Sequence, residues 1–410
     1  MTPPFRSAAV LVLVLVLAGI TACGQSGAPG RTGTSASQTV NFWYYQPTPE
    51  QSVRVKDLAK KFEAANPGIR LKITEIPKDD YNTKLASAIS GGRAPDVGYL
   101  DQPLMARYAN ADQIVEVPAG TIEEADYYEG ALNTNKVGGR LYGVPLQQTT
   151  VVLFYNKKYV TTPPTTWEEL VTASQKVHAE HPGVAGVEVP KGDGYGAWLF
   201  PGFVASAGGS MLDEAGQRVT FTERPAQDAL TLWRTLLASS PRKISGSENA
   251  FQKGLTAMKF SGPWDVLGIR EQFPGLRFGT ALLPRKTREA STIGGDNGVV
   301  FKGAKNADGG WKWLRFLTDA THNAEFSAIT GNFPVNKRAA ASVKAGTDPE
   351  FEAVLEQLES ATPRPAVTEW LQINDQYLAK AIEEAVDGGR SPAEALDTAA
   401  VSARKVLGWK

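Results

Sequence analysis

A few side chains in this sequence could support acid–base or metal chemistry, but their surroundings argue against both. Asp101 and Glu248 could form a carboxylate pair of the kind that hydrolyses glycosides, which needs two carboxyl groups about 5 to 10 Å apart. No catalytic motif surrounds either residue, and the GxSxG, HExxH and phosphate-binding-loop patterns are absent from the chain. His178 and His181 lie three residues apart without further ligands nearby, which is weak support for zinc. We therefore predict no catalytic residue, no metal and no cofactor.

The composition excludes further classes of protein. The 410 residues include 43 basic and 43 acidic side chains, so the formal net charge is zero, unlike that of a strongly basic nucleic-acid-binding protein. Cys23 is the only cysteine, which excludes an intrachain disulfide and a multi-thiolate metal site. With 42% hydrophobic and 21% charged residues, the chain has an ordinary globular composition. Its length suggests two or three domains.

Residues 1–22 are predicted to be a lipoprotein signal peptide. Ala8 to Ile20 is an apolar run of 13 residues, whereas a helix needs about 20 to cross a bilayer. Ile20-Thr21-Ala22-Cys23 follows and resembles the lipobox of bacterial lipoproteins, in which the cysteine is acylated and becomes the first residue. The alternative is an ordinary signal sequence with a small buried cysteine. Residues 23–37, rich in Gly, Ser and Thr, are predicted to be a flexible tether. We expect lipid anchoring on the extracytoplasmic face of the cell membrane.

Strands and helices alternate along the first part of the folded chain, which indicates an α/β fold. The periodicities predict strands at 39–45, 69–73 and 95–101, with helices at 53–65 and 81–90 between them. A further strand is expected at 151–155, and a helix begins near Thr165 or Thr166, either of which could cap it. Later helices are predicted at 226–238, 310–318, 348–360, 371–386 and 393–407.

Six segments, in this order, resemble the extracellular solute-binding proteins of ABC importers, in particular the family that binds sugars and oligosaccharides. Each segment alone is weak evidence for the resemblance. The six segments together are strong evidence, because they occur in the same order along nearly all of the chain and follow a lipobox. They are FEAANPGIRL (62–71), APDVGYLD (94–101), YGVPLQQTTVVLFYNKKYV (142–160), PPTTWEEL (163–170), GLTAMKFSGPWD (254–265) and SPAEALDTAA (391–400).

The resemblance implies two α/β lobes, a periplasmic-binding-protein-like fold, with hinge strands crossing between them. It places 38–147 plus 294–345 in the N-terminal lobe and 148–293 plus 346–410 in the C-terminal lobe. A ligand would bind in the cleft, and closure would present the loaded protein to the ABC permease subunits. The expected partners are thus a carbohydrate and a permease; we expect a monomer and no nucleic acid.

Carbohydrates present hydroxyl groups and apolar C–H faces, so the site should combine aromatic rings with polar side chains. The family places a stacking tryptophan where Trp264 lies in the GPWD turn, although a core tryptophan is the alternative. Tyr195 and Trp198 occur in a glycine-rich segment, KGDGYGAWLF, that we predict to be a loop. We expect these three rings to contact the ligand.

Polar candidates lie at strand ends and near prolines. Asp101 follows an apolar strand, where ligand crevices of α/β sheets occur, but it could instead cap a helix. Family members often place an arginine where Arg364 lies, between two prolines, with a surface salt bridge as the alternative. Gln147 and Gln148 correspond to polar ligand contacts in relatives, and we expect only one of them to bind.

The remaining candidates depend on loop positions. Gly294 and Gly295 could expose backbone N–H groups to a ligand, although a tight turn would also require them. Gln46 lies at the first strand-to-helix loop, and Glu248 matches a family carboxylate only approximately. A glycerol-phosphate-type or peptide ligand for the same carrier, and an exported glycoside hydrolase, are the alternative functions.

Overall fold

A computed structural model of the chain describes residues 38–45, 48–344 and 348–409. The predicted signal peptide, tether and Cys23, as well as Gln46, lie outside the described residues. Within the described ranges, no helix combines the length and apolar character needed to cross a bilayer.

The strands form two main sheets and two short two-stranded ones. The larger sheet has the order β14-β13-β3-β1-β2, with β6 also paired to β13, and the smaller has the order β12-β7-β11-β8. The strands are β1 (Gln38–Tyr45), β2 (Ile69–Ile76), β3 (Val97–Asp101), β4 (Lys136–Val137), β5 (Arg140–Leu141), β6 (Val144–Thr150), β7 (Val152–Asn156), β8 (Ala185–Glu188), β9 (Leu212–Asp213), β10 (Arg218–Val219), β11 (Thr256–Ser261), β12 (Phe278–Ala281), β13 (Ser291–Val300) and β14 (Ala361–Thr362).

Helices cover both main sheets. They are α1 (Pro49–Ala65), α2 (Lys78–Ser90), α3 (Gln102–Asn110), α4 (Glu129–Asn133), α5 (Trp167–Glu180), α6 (Gly194–Ser206), α7 (Arg224–Leu237), α8 (Arg242–Ser245), α9 (Trp264–Gln272), α10 (Ala307–Thr318), α11 (His322–Thr330), α12 (Lys337–Lys344), α13 (Pro349–Leu358), α14 (Trp370–Gln372), α15 (Ala379–Val386) and α16 (Pro392–Leu407). A π-helical turn, Ile373–Leu378, joins α14 to α15.

The two largest hydrophobic cores correspond to the two main sheets, and a third, smaller one gathers Phe333 with Phe154 of β7 and Phe278 of β12. One of the two largest gathers buried side chains from residues 40–146 and 299–335, and the other gathers them from 151–283 and 370–403. The chain passes between the sheets through Val151, which separates β6 of the larger sheet from β7 of the smaller one. The expected two-lobed α/β fold with crossing strands is confirmed.

Most predicted elements are present, and α6 is the clearest error. The segment KGDGYGAWLF was predicted to be a loop, but Gly194–Ser206 is a helix whose N-cap, Asp193, accepts a hydrogen bond from the N–H of Gly196. Ten of its 13 residues are buried, so it lacks the polar face that marks an amphipathic helix in sequence. Gly202 lets this helix lie against β13, since a Cβ there would stand 2.8 Å from the backbone nitrogen of Thr292.

Candidate ligand-binding site

Asp101 and Arg364 form a bidentate ion pair at the carboxyl end of β3. The Arg364 Nη1 and Nη2 groups donate to the two Asp101 oxygens at 3.0 and 2.5 Å. Asp101 also caps α3, because its Oδ1 accepts from the N–H of Gln102 at 2.8 Å. Asp101 therefore has the helix-capping role considered for it, whereas Arg364 forms an ion pair in which the arginine is buried rather than the surface salt bridge considered for it. The Arg364 side chain is 6% exposed and that of Asp101 is 38% exposed, so the arginine supports a carboxylate that remains accessible.

The Gln102 amide holds the backbone of this arginine. Its Nε2 donates to the carbonyl of Arg364 at 2.6 Å, and its Oε1 accepts from the N–H of Arg364 at 3.1 Å. Gln102 was not among the candidate residues. Its sequence neighbour Asp101 was the only signal that this position matters.

Gln147 and Gln148 lie side by side on β6, and both are buried. The Gln147 amide is satisfied at both ends, because Nε2 donates to Asp296 and Oε1 accepts from Thr330. The Gln148 Nε2 donates to the carbonyl of Pro334 at 2.8 Å. In the described part of the chain, no hydrogen bond to the Gln148 Oε1 is recorded. The Gln148 side chain therefore has an amide oxygen that could accept a hydrogen bond from a ligand, whereas both ends of the Gln147 amide are occupied.

Asp296 is a buried carboxylate that was missing from the candidate list. It lies on β13 directly across from Asp101 on β3. Burial raises its pKa to about 7, while the charge of Arg364 acts in the opposite direction. The Gly-Gly-Asp-Asn run at 294–297 is the sequence signal for this residue.

Gly294 and Gly295 are strand residues on β13. Gly295 has φ +137°, and a Cβ there would stand 2.1 Å from the carbonyl oxygen of Gln147, so this position requires glycine. Both glycines, with Gln147 and Gln148, line a very small cavity of about 10 Å³. The other lining residues are Gln102, Ala131, Thr134, Pro145, Ile293 and Asn297.

The three candidate aromatic side chains lie together. The rings of Tyr195 and Trp198 stack with centroids 5.7 Å apart, and the ring of Trp264 lies 6.1 Å from that of Trp198. The Tyr195 residue is 42% exposed, whereas the two tryptophans are half-buried. A Cβ on Gly294 would stand 2.9 Å from Trp198 Cζ2, so the aromatic group adjoins the β13 residues that line the small cavity.

Comparison with known proteins identifies the family. The sequence profile of the bacterial extracellular solute-binding proteins matches residues 57–353. The chain belongs to this family. It is 26% identical over 374 residues to a putative binding protein of Brucella abortus, covering 86% of this chain and 89% of the relative. It is 24% identical over 386 residues to the maltodextrin-binding protein MdxE of Bacillus subtilis, covering 89% of each.

A solved structure of similar fold is that of the sugar-binding protein MalE from Xanthomonas citri. It superposes with a TM-score of 0.80 at 26% identity and covers 90% of this chain and 98% of that one. Members of this family are binding proteins, which agrees with the lack of a catalytic motif in the sequence.

In this solute-binding protein, a charged cluster lies next to the aromatic group. The Lys259 Nζ lies 2.7 Å from Asp265 Oδ2, which also accepts from the Ser261 hydroxyl at 2.7 Å. The Tyr195 hydroxyl donates to the carbonyl of Phe260 at 3.2 Å, so its polar end faces inward. These contacts lie at the carboxyl end of β11, where α/β sheets place ligands.

Glu188 extends this cluster to the carboxyl end of β8. Its register partner on β11 is Lys259, and its Oε1 accepts from the N–H of Phe251 at 2.7 Å. Burial raises the pKa of Glu188, while the Lys259 charge acts against this. None of the charged members of the cluster was a candidate from sequence, because each lies in an otherwise apolar strand or at a helix start.

Glu248 is exposed in the turns that follow α8, and within the described ranges no contact between its side chain and this site is recorded. The Nδ1 of His178 lies 2.9 Å from the carbonyl of Val184, and the His181 ring packs against Tyr159. Among the described residues, no three His, Cys, Asp or Glu side chains are grouped to hold a metal.

Proposed function

We propose that this solute-binding protein captures a sugar or oligosaccharide and delivers it to the permease of an ABC importer. The observation that carries the proposal is the group formed by Tyr195, Trp198 and Trp264 beside the polar residues of β6 and β13. Aromatic surfaces combined with a few placed polar groups are typical of small-molecule sites. The names of the Bacillus and Xanthomonas proteins, maltodextrin-binding and sugar-binding, support the same ligand class.

The polar side chains of the site divide into ligand-facing and supporting groups. Asp101 is partly exposed and accepts ligand hydroxyls while Arg364 holds it in place. Gln148 keeps an amide oxygen for the ligand, whereas both ends of Gln147 are occupied by protein partners. We therefore assign Gln148, rather than Gln147, to the ligand. The backbone of Gly294 and Gly295 lines the adjoining cavity.

Binding occurs between two lobes that close on the ligand. The N-terminal lobe comprises 38–147 plus 294–345, and the C-terminal lobe comprises 148–293 plus 346–410. The separate hydrophobic cores support these boundaries. A ligand that contacts both lobes favours the closed state by its differential affinity for that state. The permease then recognises the closed form, and the carrier itself makes and breaks no bonds.

The carrier is held at the membrane by a lipid on Cys23 after removal of residues 1–22. The lipobox-like segment and the Gly/Ser/Thr-rich tether support this assignment. Mass spectrometry of the membrane-extracted protein should find an acylated N-terminal Cys23. An N-terminal Cys23 without an acyl group in that protein would contradict the anchor. Light scattering of the purified carrier should give a monomer mass.

The ligand class is tested with the processed chain carrying Cys23→Ala. A calorimetric and thermal-shift screen against mono- and oligosaccharides should find saturable binding, and a ligand at a hundredfold excess over Kd stabilises the fold by about 2.7 kcal/mol. Trp264→Ala should weaken that binding at least about tenfold. Trp409→Ala serves as a matched control, because this half-buried tryptophan follows α16 and packs on the core.

Two outcomes would contradict the proposal. The carbohydrate assignment fails if no member of the panel binds while a phosphorylated polyol or a peptide binds and this binding is lost in Trp264→Ala. Release of shortened glycans at enzymatic rates would identify a hydrolase instead. Unchanged affinity in Trp264→Ala would remove this residue from the site.

A further inference from the structure

A second cavity lies at the end of the smaller sheet opposite to the aromatic group. It has a volume of about 650 Å³, within the range of small-molecule sites. Its walls come from the turn after β7, the turn before β11 and the segment between α9 and β12. β11 begins at Thr256 beside this cavity and ends at Ser261 beside Trp264, so the length of the strand separates the two sites.

The walls of this cavity carry only positive charge. Four of its 11 lining residues are Lys157, Lys158, Lys253 and Arg277, and none of the 11 is acidic. By contrast, the whole chain has equal numbers of acidic and basic residues. Of the four cations, only Lys157 has a recorded carboxylate partner within the described residues, Glu350 at 3.7 Å. Three of the four charges are therefore available to an anion.

An amide donor on a largely buried residue also lines this cavity. Asn156 is 3% exposed, and its Oδ1 accepts from the N–H of Lys158 at 3.0 Å. The amide NH₂ group is therefore turned away from that contact, and in the described part of the chain it has no recorded acceptor. It lies 3.8 Å from the point where a Cβ on Gly254 would stand, and Gly254 itself lines the cavity. This donor is therefore open to a ligand or a water in the cavity.

We propose that this cavity is a binding site for a phosphate ester, separate from the carbohydrate site. Lysine and arginine side chains and an amide N–H all donate hydrogen bonds, and phosphate oxygens accept hydrogen bonds from such donors. The phosphate ester is either a free small molecule or the headgroup of an anionic lipid, since both present the same chemistry.

The test uses glycerol 3-phosphate and the processed chain carrying Cys23→Ala. Titration calorimetry at low ionic strength should show saturable binding that weakens as salt is added, with no binding of glycerol. Lys253→Glu combined with Arg277→Glu should weaken binding at least about tenfold. Both side chains are exposed and lack a recorded ion pair among the described residues, so the fold should tolerate the change. Lys312→Glu with Arg315→Glu, two exposed cations on α10, is the charge-matched control and should bind normally.

Further binding experiments distinguish this site from the carbohydrate site and identify the source of the anion. Trp264→Ala should bind glycerol 3-phosphate normally. The test of the phosphate site therefore does not depend on whether the proposed transport function is correct. Sedimentation with phosphatidylglycerol vesicles, but not phosphatidylcholine vesicles, without binding of the free ester would assign the site to a lipid headgroup. The proposal is overturned if neither probe binds, if the reversed-charge variant binds as tightly as the parent, or if binding is lost in Trp264→Ala.

Discussion

Asp296→Asn should change how the stability of the protein depends on pH. Burial raises the pKa of Asp296 from 3.8 to about 7, so the folded state retains a proton that the unfolded chain has lost at intermediate pH. The stabilisation of the folded state by protonated Asp296 is therefore fully present below the unfolded pKa of 3.8. It is lost as the pH rises through about 7. Asparagine removes the titration while its amide oxygen can still accept from the Gln147 Nε2.

The magnitude follows from the size of the shift. A difference of about three pKa units corresponds to about 4 kcal/mol at 1.36 kcal/mol per unit. Between about pH 4 and pH 8, the free energy of unfolding of Asp296→Asn should therefore rise relative to that of the parent by about 3 to 4 kcal/mol.

Urea unfolding followed by tryptophan fluorescence across this pH range measures the effect. Asp397→Asn, which removes an exposed carboxylate from α16, is the control for a surface change. The reasoning is refuted if the difference between Asp296→Asn and the parent stays constant within about 0.5 kcal/mol, or if it grows as pH falls.

Three further substitutions test particular contacts. Arg364→Ala should cost about 2 to 3 kcal/mol by urea unfolding, less than a fully buried pair because water can reach Asp101; a loss below about 0.5 kcal/mol would contradict this. Gly262→Ala should weaken carbohydrate binding at least about fivefold by calorimetry, since its Cβ would stand 2.1 Å from the Trp264 ring; unchanged affinity would refute it. Ser391→Ala should cost about 1 kcal/mol through loss of a capping box, with affinity unchanged.

Elements with one buried and one exposed face could be predicted from sequence. The predicted strand at 69–73 lies within β2, and the helix predicted at 393–407 starts one residue earlier in the structure, as α16. Their polar faces produce the periodicity of two or 3.6 residues on which such predictions depend. The capping box at Ser391 is a further local signal, because the cap and its partner are three residues apart.

Two almost fully buried elements, β6 and α6, could not be predicted in this way. All seven residues of β6 are buried, including Gln147, Gln148, Thr149 and Thr150, so its polar composition concealed a strand. The helix α6 was missed for the related reason that it has almost no exposed face. The structure of both elements depends on packing against neighbouring elements, and a local pattern of polar and apolar residues does not reveal it.

The sequence by itself determined the family, the order of the elements and the types of side chain available for binding. Only the tertiary structure decided which of them act together. Arg364 and Asp101 are 263 residues apart, and Gln147 and Asp296 are 149 apart, yet each pair is in hydrogen-bond contact. The partner of a charged side chain and its access to water depend on which strands lie next to each other. Those two properties set whether a carboxylate is held exposed, as in Asp101, or buried with a raised pKa, as in Asp296.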